Sequence, residues 1–218
     1  MGSGAMGSLA ASWQFGAMDK REDRRPRPQA GRPPDAAVLR EAALRHLARF
    51  AATEAGLARV LQRRVARWAQ RAEAEGQDGA AIARIAAAGR AAALEVAHRL
   101  AQAGAVDDAA FAAARARRLQ QGGRSRRAIA AHLAAKGVAA SAAEAALAEA
   151  AADELAAALG HLRRRRAGPF AATPPDAAAR LKAMAALARA GFPREVAERA
   201  LDLPPGEAEE RLLASRRG

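Results

Sequence analysis

The chain has 218 residues, 36 Lys and Arg against 23 Asp and Glu, a formal charge of +13, four histidines and no cysteine. The missing thiols exclude disulfides, thiolate metal sites and cysteine nucleophiles and fit a reducing, cytoplasmic setting, while the arginine excess makes a polyanion the expected partner class. No apolar run is long enough to span a bilayer, so no membrane partner is expected, and the 51% hydrophobic content is mostly alanine, which predicts a thin core spread along helices.

Residues 1–20, MGSGAMGSLAASWQFGAMDK, repeat a Gly-Ala-Met element and read as an expression-vector scar, so Trp13 and Phe15 are assigned no role. The proline-rich, charged stretch 21–34 extends it as a disordered basic tail. From Asp35 onward apolar residues recur three and four apart and no stretch alternates with period two, which predicts an all-α fold. Helix starts are expected at Thr53, at Asp107, at Ser125, at Ser141 with Glu144 as a capping box, and at Thr173 with Pro174 and Asp176 in the first turn. Stops are expected at Gly76, Gly104, Gly122-Gly123, Gly137, Gly168 and Gly191. These signals mark out roughly nine helices.

An internal repeat organises them. HLAAKGVAASAAEAALAEA (132–150) aligns with ALARAGFPREVAERALDLP (186–204), pairing Leu133 with Leu187, Gly137 with Gly191, Val138 with Phe192, Glu144 with Glu198 and Leu147 with Leu201. A weaker copy puts Leu57 and Leu61 in the places of Ile129 and Leu133, followed by an insertion around 73–92 that contains EAEGQDG. The expectation is three tandem three-helix units, 35–103, 104–151 and 152–203, then a tail at 204–218. Each unit is too small to be stable alone, so the three should stack into an elongated, curved array. Phe111, Ile129, Leu133, Leu147, Leu187, Phe192 and Leu201 are the expected core, and 103–106 and 168–174 the expected pivots.

The stretch QGGRSRR (121–127) is not a phosphate-cradling P-loop, because it follows a helix rather than a strand and lacks the Gly-Lys-Ser/Thr ending. It reads as a helix stop, a turn and a new N-cap. The arginines around it need a separate account. Between Ala109 and Ala143 stand Arg115, Arg117, Arg118, Arg124, Arg126, Arg127 and Lys136 without one acidic residue. Solvated helical faces usually mix signs, so this segment is a candidate binding surface. A second candidate is Arg163, Arg164, Arg165 and Arg166, four cations where helix capping needs fewer. His46, His98, His132 and His161 are scattered, no HExxH or GxSxG occurs, and Asp107-Asp108 opens a helix. No enzyme, cofactor or metal site is therefore expected. Outside the expected scar the aromatics are Phe50, Trp68, Phe111, Phe170 and Phe192, so nucleic-acid contacts should go to phosphates rather than bases. Composition leaves open a DNA binder acting through phosphates alone and a helical scaffold for an acidic protein.

The segment GAVDDAAFAAARARRLQQGGRSRRAIAAHLAAKGV (104–138) resembles the middle repeat of the RecX family of bacterial recombination regulators. The residues that carry the likeness are Gly104, Asp107, Asp108, Phe111, Ala112, Arg117, Gly123, Arg127, Ile129, Leu133, Lys136, Gly137 and Val138. Arg115 and Arg124 stand where many members have aromatics, and the 73–92 insertion is long. The resemblance implies a monomeric, non-enzymatic modulator that lies in the groove of the RecA–DNA filament. It further implies inhibition of the recombinase, ATPase and co-protease activities of RecA. The arginine face would meet RecA and the DNA phosphate backbone.

Overall fold

The computed structural model describes residues 29–149 and 153–215. Residues 1–20, read as a scar, and residues 21–28 of the expected tail lie outside them. Among the described residues the chain is helical, with ten α-helices and one short 3-10 turn. The first unit comprises α1 (Ala36–Leu47), α2 (Glu54–Ala74) and α3 (Gly79–Gln102); the second comprises α4 (Asp108–Gln121), α5 (Arg126–Lys136) and α6 (Ala140–Glu149). The third holds α7 (Glu154–Arg165), the 3-10 turn Gly168–Phe170, α8 (Ala177–Arg189), α9 (Arg194–Asp202) and α10 (Pro205–Ala214).

Local chemistry sets these boundaries. Asp35, Thr53, Asp78, Asp107, Ser125, Asp153 and Asp176 each accept a hydrogen bond from a first-turn backbone amide, satisfying a donor that the helix itself leaves free. Two expected caps fall elsewhere. Ser141 lies inside the first turn of α6 and is exposed, so it does not cap. Thr173 precedes two prolines, and it is Asp176 that caps α8.

Each unit has its own core. Leu39, Leu57, Leu61, Val65, Val96 and Leu100 fill the first. Ile129, Leu133, Val138 and Leu147 fill the second among buried alanines. Leu155, Leu159, Leu162, Leu187, Phe192 and Leu201 fill the third. The aligned residues occupy matching environments: Leu133 and Leu187 are fully buried, and Val138 and Phe192 nearly so. Of the expected core, Phe111 packs against its cluster while only partly buried.

Three departures have physical reasons. The segment 204–218, expected as a tail, contains α10, which sends Ala208 and Leu212 into the third core. The insertion forms no loop; it lengthens α2 and α3 into a hairpin of 21- and 24-residue helices that turns at Gly76. Residues 29–34, expected as disordered, close the far end of that hairpin. There Ala30 is buried with Trp68, Ala72 and Ile82, the Trp68 indole donates to the Gly31 carbonyl at 3.3 Å, and the Ala30 amide donates to Glu75 at 2.6 Å.

The units meet through a polar joint that occurs twice. In the first joint the Thr53 hydroxyl donates to the carbonyl of Lys136 at 2.6 Å, and the amide of Glu54 donates to Asp108 at 2.8 Å. In the second, the Ser125 hydroxyl donates to the carbonyl of Ala190 at 2.7 Å, and the amide of Arg126 donates to Glu154 at 3.1 Å. Each time, the N-cap hydroxyl of one unit's second helix reaches the carbonyl just before the glycine turn of the next unit, Gly137 or Gly191. Each time, the first acidic residue of the next unit's first helix receives the neighbouring amide. Thr53 and Ser125 are both about 1% exposed, so these hydroxyls would be costly to leave unpaired. The second of the two expected pivots, 168–174, lies within the third unit, where Gly168 is packed against Leu162 and Leu201, and not between units.

Candidate functional site

The joint places the two arginine clusters together. Gly123 ends the α4–α5 turn at φ 68°, and a Cβ there would sit 2.8 Å from an Arg164 guanidinium nitrogen and 3.2 Å from the Ala157 carbonyl. Glycine is thus required both by the left-handed backbone and by the close approach of α7. Arg164 donates to the Gly123 carbonyl at 3.2 Å. Around this contact lies a cleft of about 440 Å³ lined by Gly122, Gly123, Arg124, Ser125, His161, Arg164, Arg165, Ala190 and Phe192. The glycines of QGGRSRR make the turn, and the turn carries Arg124 to the two arginines at the end of α7.

The other nominated cations divide by what they touch. Arg115 is half-buried, and its Nε donates to the Nε2 of His132 at 3.0 Å, tying α4 to α5. The Arg126 guanidinium donates to the Leu147 carbonyl at 3.1 Å, near the end of α6. Arg163 pairs with Glu209 of α10 at 3.7 Å. These three have internal work. Arg117, Arg118, Arg124, Arg127, Lys136, Arg165 and Arg166 are exposed, and their charged groups have no hydrogen-bond or ion-pair partner among the described residues. Arg166 also caps α7 in the left-handed region at φ 51°, where glycine is the usual occupant.

Electrostatics reflect the crowding. Burial first, then Arg165, Arg164 and Arg124, hold the His161 imidazolium below its ordinary range. Burial first, then Arg115, Lys136 and Arg124, do the same to His132. The Arg164 guanidinium is itself lowered, by burial and then by Arg124 and Arg165. Both histidines, one on α5 and one on α7, therefore lie in the field of Arg124. A pH dependence follows. In the unfolded chain a histidine titrates near 6.5; with its folded value depressed, the unfolded state binds more protons over the interval below that value, so stability falls as pH drops through it. Urea midpoints are expected to decline from pH 7.5 to 5, and the His132→Gln/His161→Gln variant should flatten that decline. Asp35 is lowered by its bonds to the Val38 amide and to Arg32, so its contribution is lost only below about pH 4.

Sequence reasoning missed one arginine row. Between Glu54 and Glu73 the chain has Arg59, Arg63, Arg64, Arg67 and Arg71 and no acid, the same one-signed signal as in 109–143. Arg59, Arg63, Arg67 and Arg71 recur every fourth residue and share a face of α2, a row about 18 Å long. Arg59 donates to the Lys136 carbonyl at 2.8 Å, which joins this row to α5. It also missed Asp108 as a joint residue, because a carboxylate at a helix start is already explained by the free amides there.

No group of three or more His, Cys, Asp or Glu side chains suited to a metal ion occurs among the described residues, and no described helix is long and apolar enough to cross a membrane. The fold is that of a tandem three-helix-repeat protein with exposed arginines on its second and third units. The family model described as RecX, second three-helix domain, matches residues 107–147, which is the second unit. The chain is 37% identical over 194 residues to the regulatory protein RecX of Myxococcus xanthus, covering 87% of this chain and 97% of that one. It is 33% identical over 108 residues to the regulatory protein RecX of Agrobacterium fabrum, covering 50% and 58% of the two chains. The chain belongs to the RecX family.

Proposed function

We propose that the protein is a non-enzymatic negative regulator of RecA that binds in the groove of the RecA–DNA filament and inhibits its recombinase, ATPase and co-protease activities. It acts as a monomer, in the cytoplasm and without a cofactor, and its arginine face meets RecA and DNA phosphates together. The observation that carries this reading is the second unit, in which the family pattern, the one-signed charge and both joints coincide. Small units linked by a few hydrogen bonds form an array that can follow a groove, and a cationic face provides complementarity to acidic protein and nucleic acid alike.

The test is the ATPase rate of RecA preassembled on single-stranded DNA, titrated with this protein. Inhibition well below one molecule per RecA protomer is expected. Inhibition only at amounts that coat the DNA, relieved equally by naked DNA, would instead identify a sequence-independent phosphate binder.

A further inference from the structure

We infer that the cleft between the α4–α5 turn and the end of α7 is a phosphate-binding site whose ligand is a backbone phosphate of nucleic acid. The inference rests on the functional reading for the presence of a nucleic-acid partner, and deepens it by naming the ligand at one place on the cationic face. Two observations carry it. The lining brings together three arginines from two units, Arg124 from the second and Arg164 and Arg165 from the third, and includes no acidic residue. Like charges gathered across a joint repel one another, and no anion in the cleft lining offsets them. His161 lines the same cleft, stands edge-on to Phe192 at 5.8 Å, and has an Nε2 shielded from solvent with no hydrogen-bond partner. His161 therefore stands in the wall of the cleft, where its ring reports on what the arginines hold.

The chemistry selects the ligand. Guanidinium groups match phosphate oxygens in pairs, and three of them exceed what a single carboxylate would satisfy. A cleft of about 440 Å³ has room for a phosphate group. The exposed Arg117, Arg118 and Arg127, at the end of α4 and the start of α5, extend the positive surface in the way a polymer, rather than a free ion, would use. Because the arginines belong to different units, the ligand also bridges the joint and holds the second and third units in one orientation.

The full-length chain is used for the test. The ring-nitrogen signals of His161 are followed by NMR during titration with a short thymidine oligonucleotide, with inorganic phosphate and with a glutamate-rich peptide. Movement with the oligonucleotide and with phosphate, abolished in Arg124→Gln/Arg165→Gln and kept in the equal-charge control Arg90→Gln/Arg199→Gln, is expected. In the cleft variant oligonucleotide affinity should fall about tenfold, and the slope of log affinity against log salt should flatten by about 0.7, the value for one phosphate no longer neutralised. Phosphate should raise the melting temperature above that in chloride at equal ionic strength, and the increment should vanish in the cleft variant. Arg124 and Arg165 are exposed and unpaired among the described residues, so the variant should fold.

Movement with phosphate but not the oligonucleotide overturns the assignment to nucleic acid. Movement with the peptide alone overturns phosphate in favour of an acidic protein. If the oligonucleotide binds and His161 stays still, the cleft is not the site. In each of these cases the RecA ATPase titration tests the functional reading separately, since substoichiometric inhibition can persist without this cleft.

Discussion

Replacing Gly137 by alanine is expected to destabilise the protein by about 2–4 kcal/mol, whereas the same change at Gly104 should cost only about 1 kcal/mol. Both glycines have positive φ, 86° and 72°, and an L-residue there costs about 1–2 kcal/mol. The difference lies in what the new methyl meets. At Gly104 nothing lies within 4 Å. At Gly137 the methyl would overlap the Cβ of Ala55 on the first unit. The two units must then separate, and the bond from Thr53 to the Lys136 carbonyl, 2.6 Å long and buried, stretches or breaks. A lost hydrogen bond of that kind is worth about 0.5–1.5 kcal/mol, more if a group is left unpaired. Urea denaturation of both variants measures the contrast, and Ala55→Gly should recover part of the Gly137 loss by restoring space. Equal losses at the two positions would mean that the joint tolerates displacement and that only backbone strain is at stake.

The joint also shows which parts of this fold are legible in a sequence and which are not. Leu133, Gly137 and Val138 could be aligned with Leu187, Gly191 and Phe192 because core positions and left-handed turns constrain residue type directly. The partnership of Thr53 with Lys136 could not, because a backbone carbonyl accepts regardless of its side chain. Ser125 was readable as an N-cap, but its second bond, to Ala190, has no signature of its own. The helix in 205–214 was hidden by Pro204-Pro205, a pair that reads as a terminator yet here supplies the residue before the helix and its first position. The hairpin was legible only as the helix stop at Gly76, because an insertion reads the same whether it adds a loop or lengthens the two helices beside it.

For the site, the absence of acids singles out segments of the chain but does not say which of their arginines are free. Arg115, Arg117, Arg126 and Arg127 look alike in the sequence. The structure separates them: Arg115 is taken up by a histidine of the next helix and Arg126 by a carbonyl near the end of α6, while Arg117 and Arg127 are left bare. Arg126 and Arg127 are adjacent and still differ in this way. The meeting of Arg124 with Arg164 and Arg165 depends on the tertiary joint and has no counterpart in sequence spacing.

That separation decides how charge reversal should be done. Arg117→Glu/Arg118→Glu/Arg124→Glu/Arg127→Glu, with Arg126 retained, is expected to raise the amount of protein needed to inhibit RecA ATPase by about a hundredfold or more, a loss of at least about 2.7 kcal/mol at ~1.36 kcal/mol per tenfold. Folding should survive. Arg127 lies in the first turn of α5, where a carboxylate is favoured by the helix dipole, and this offsets part of the cost, about 0.3–1 kcal/mol, of each carboxylate near the end of α4. Reversing Arg126 as well would remove the bond to Leu147 and set a carboxylate beside Glu154, mixing a folding defect into the result. The matched glutamine variant should lose less, because it removes attraction without adding repulsion. Far-UV circular dichroism and the urea midpoint check the fold, and the salt dependence of binding to single-stranded DNA shows how many phosphates the variant still neutralises. If DNA binding collapses while substoichiometric inhibition persists, the reversed face serves nucleic acid and RecA is met elsewhere, with the α2 arginine row as the next surface to reverse; if both persist, these four arginines are solvated charge and nothing more.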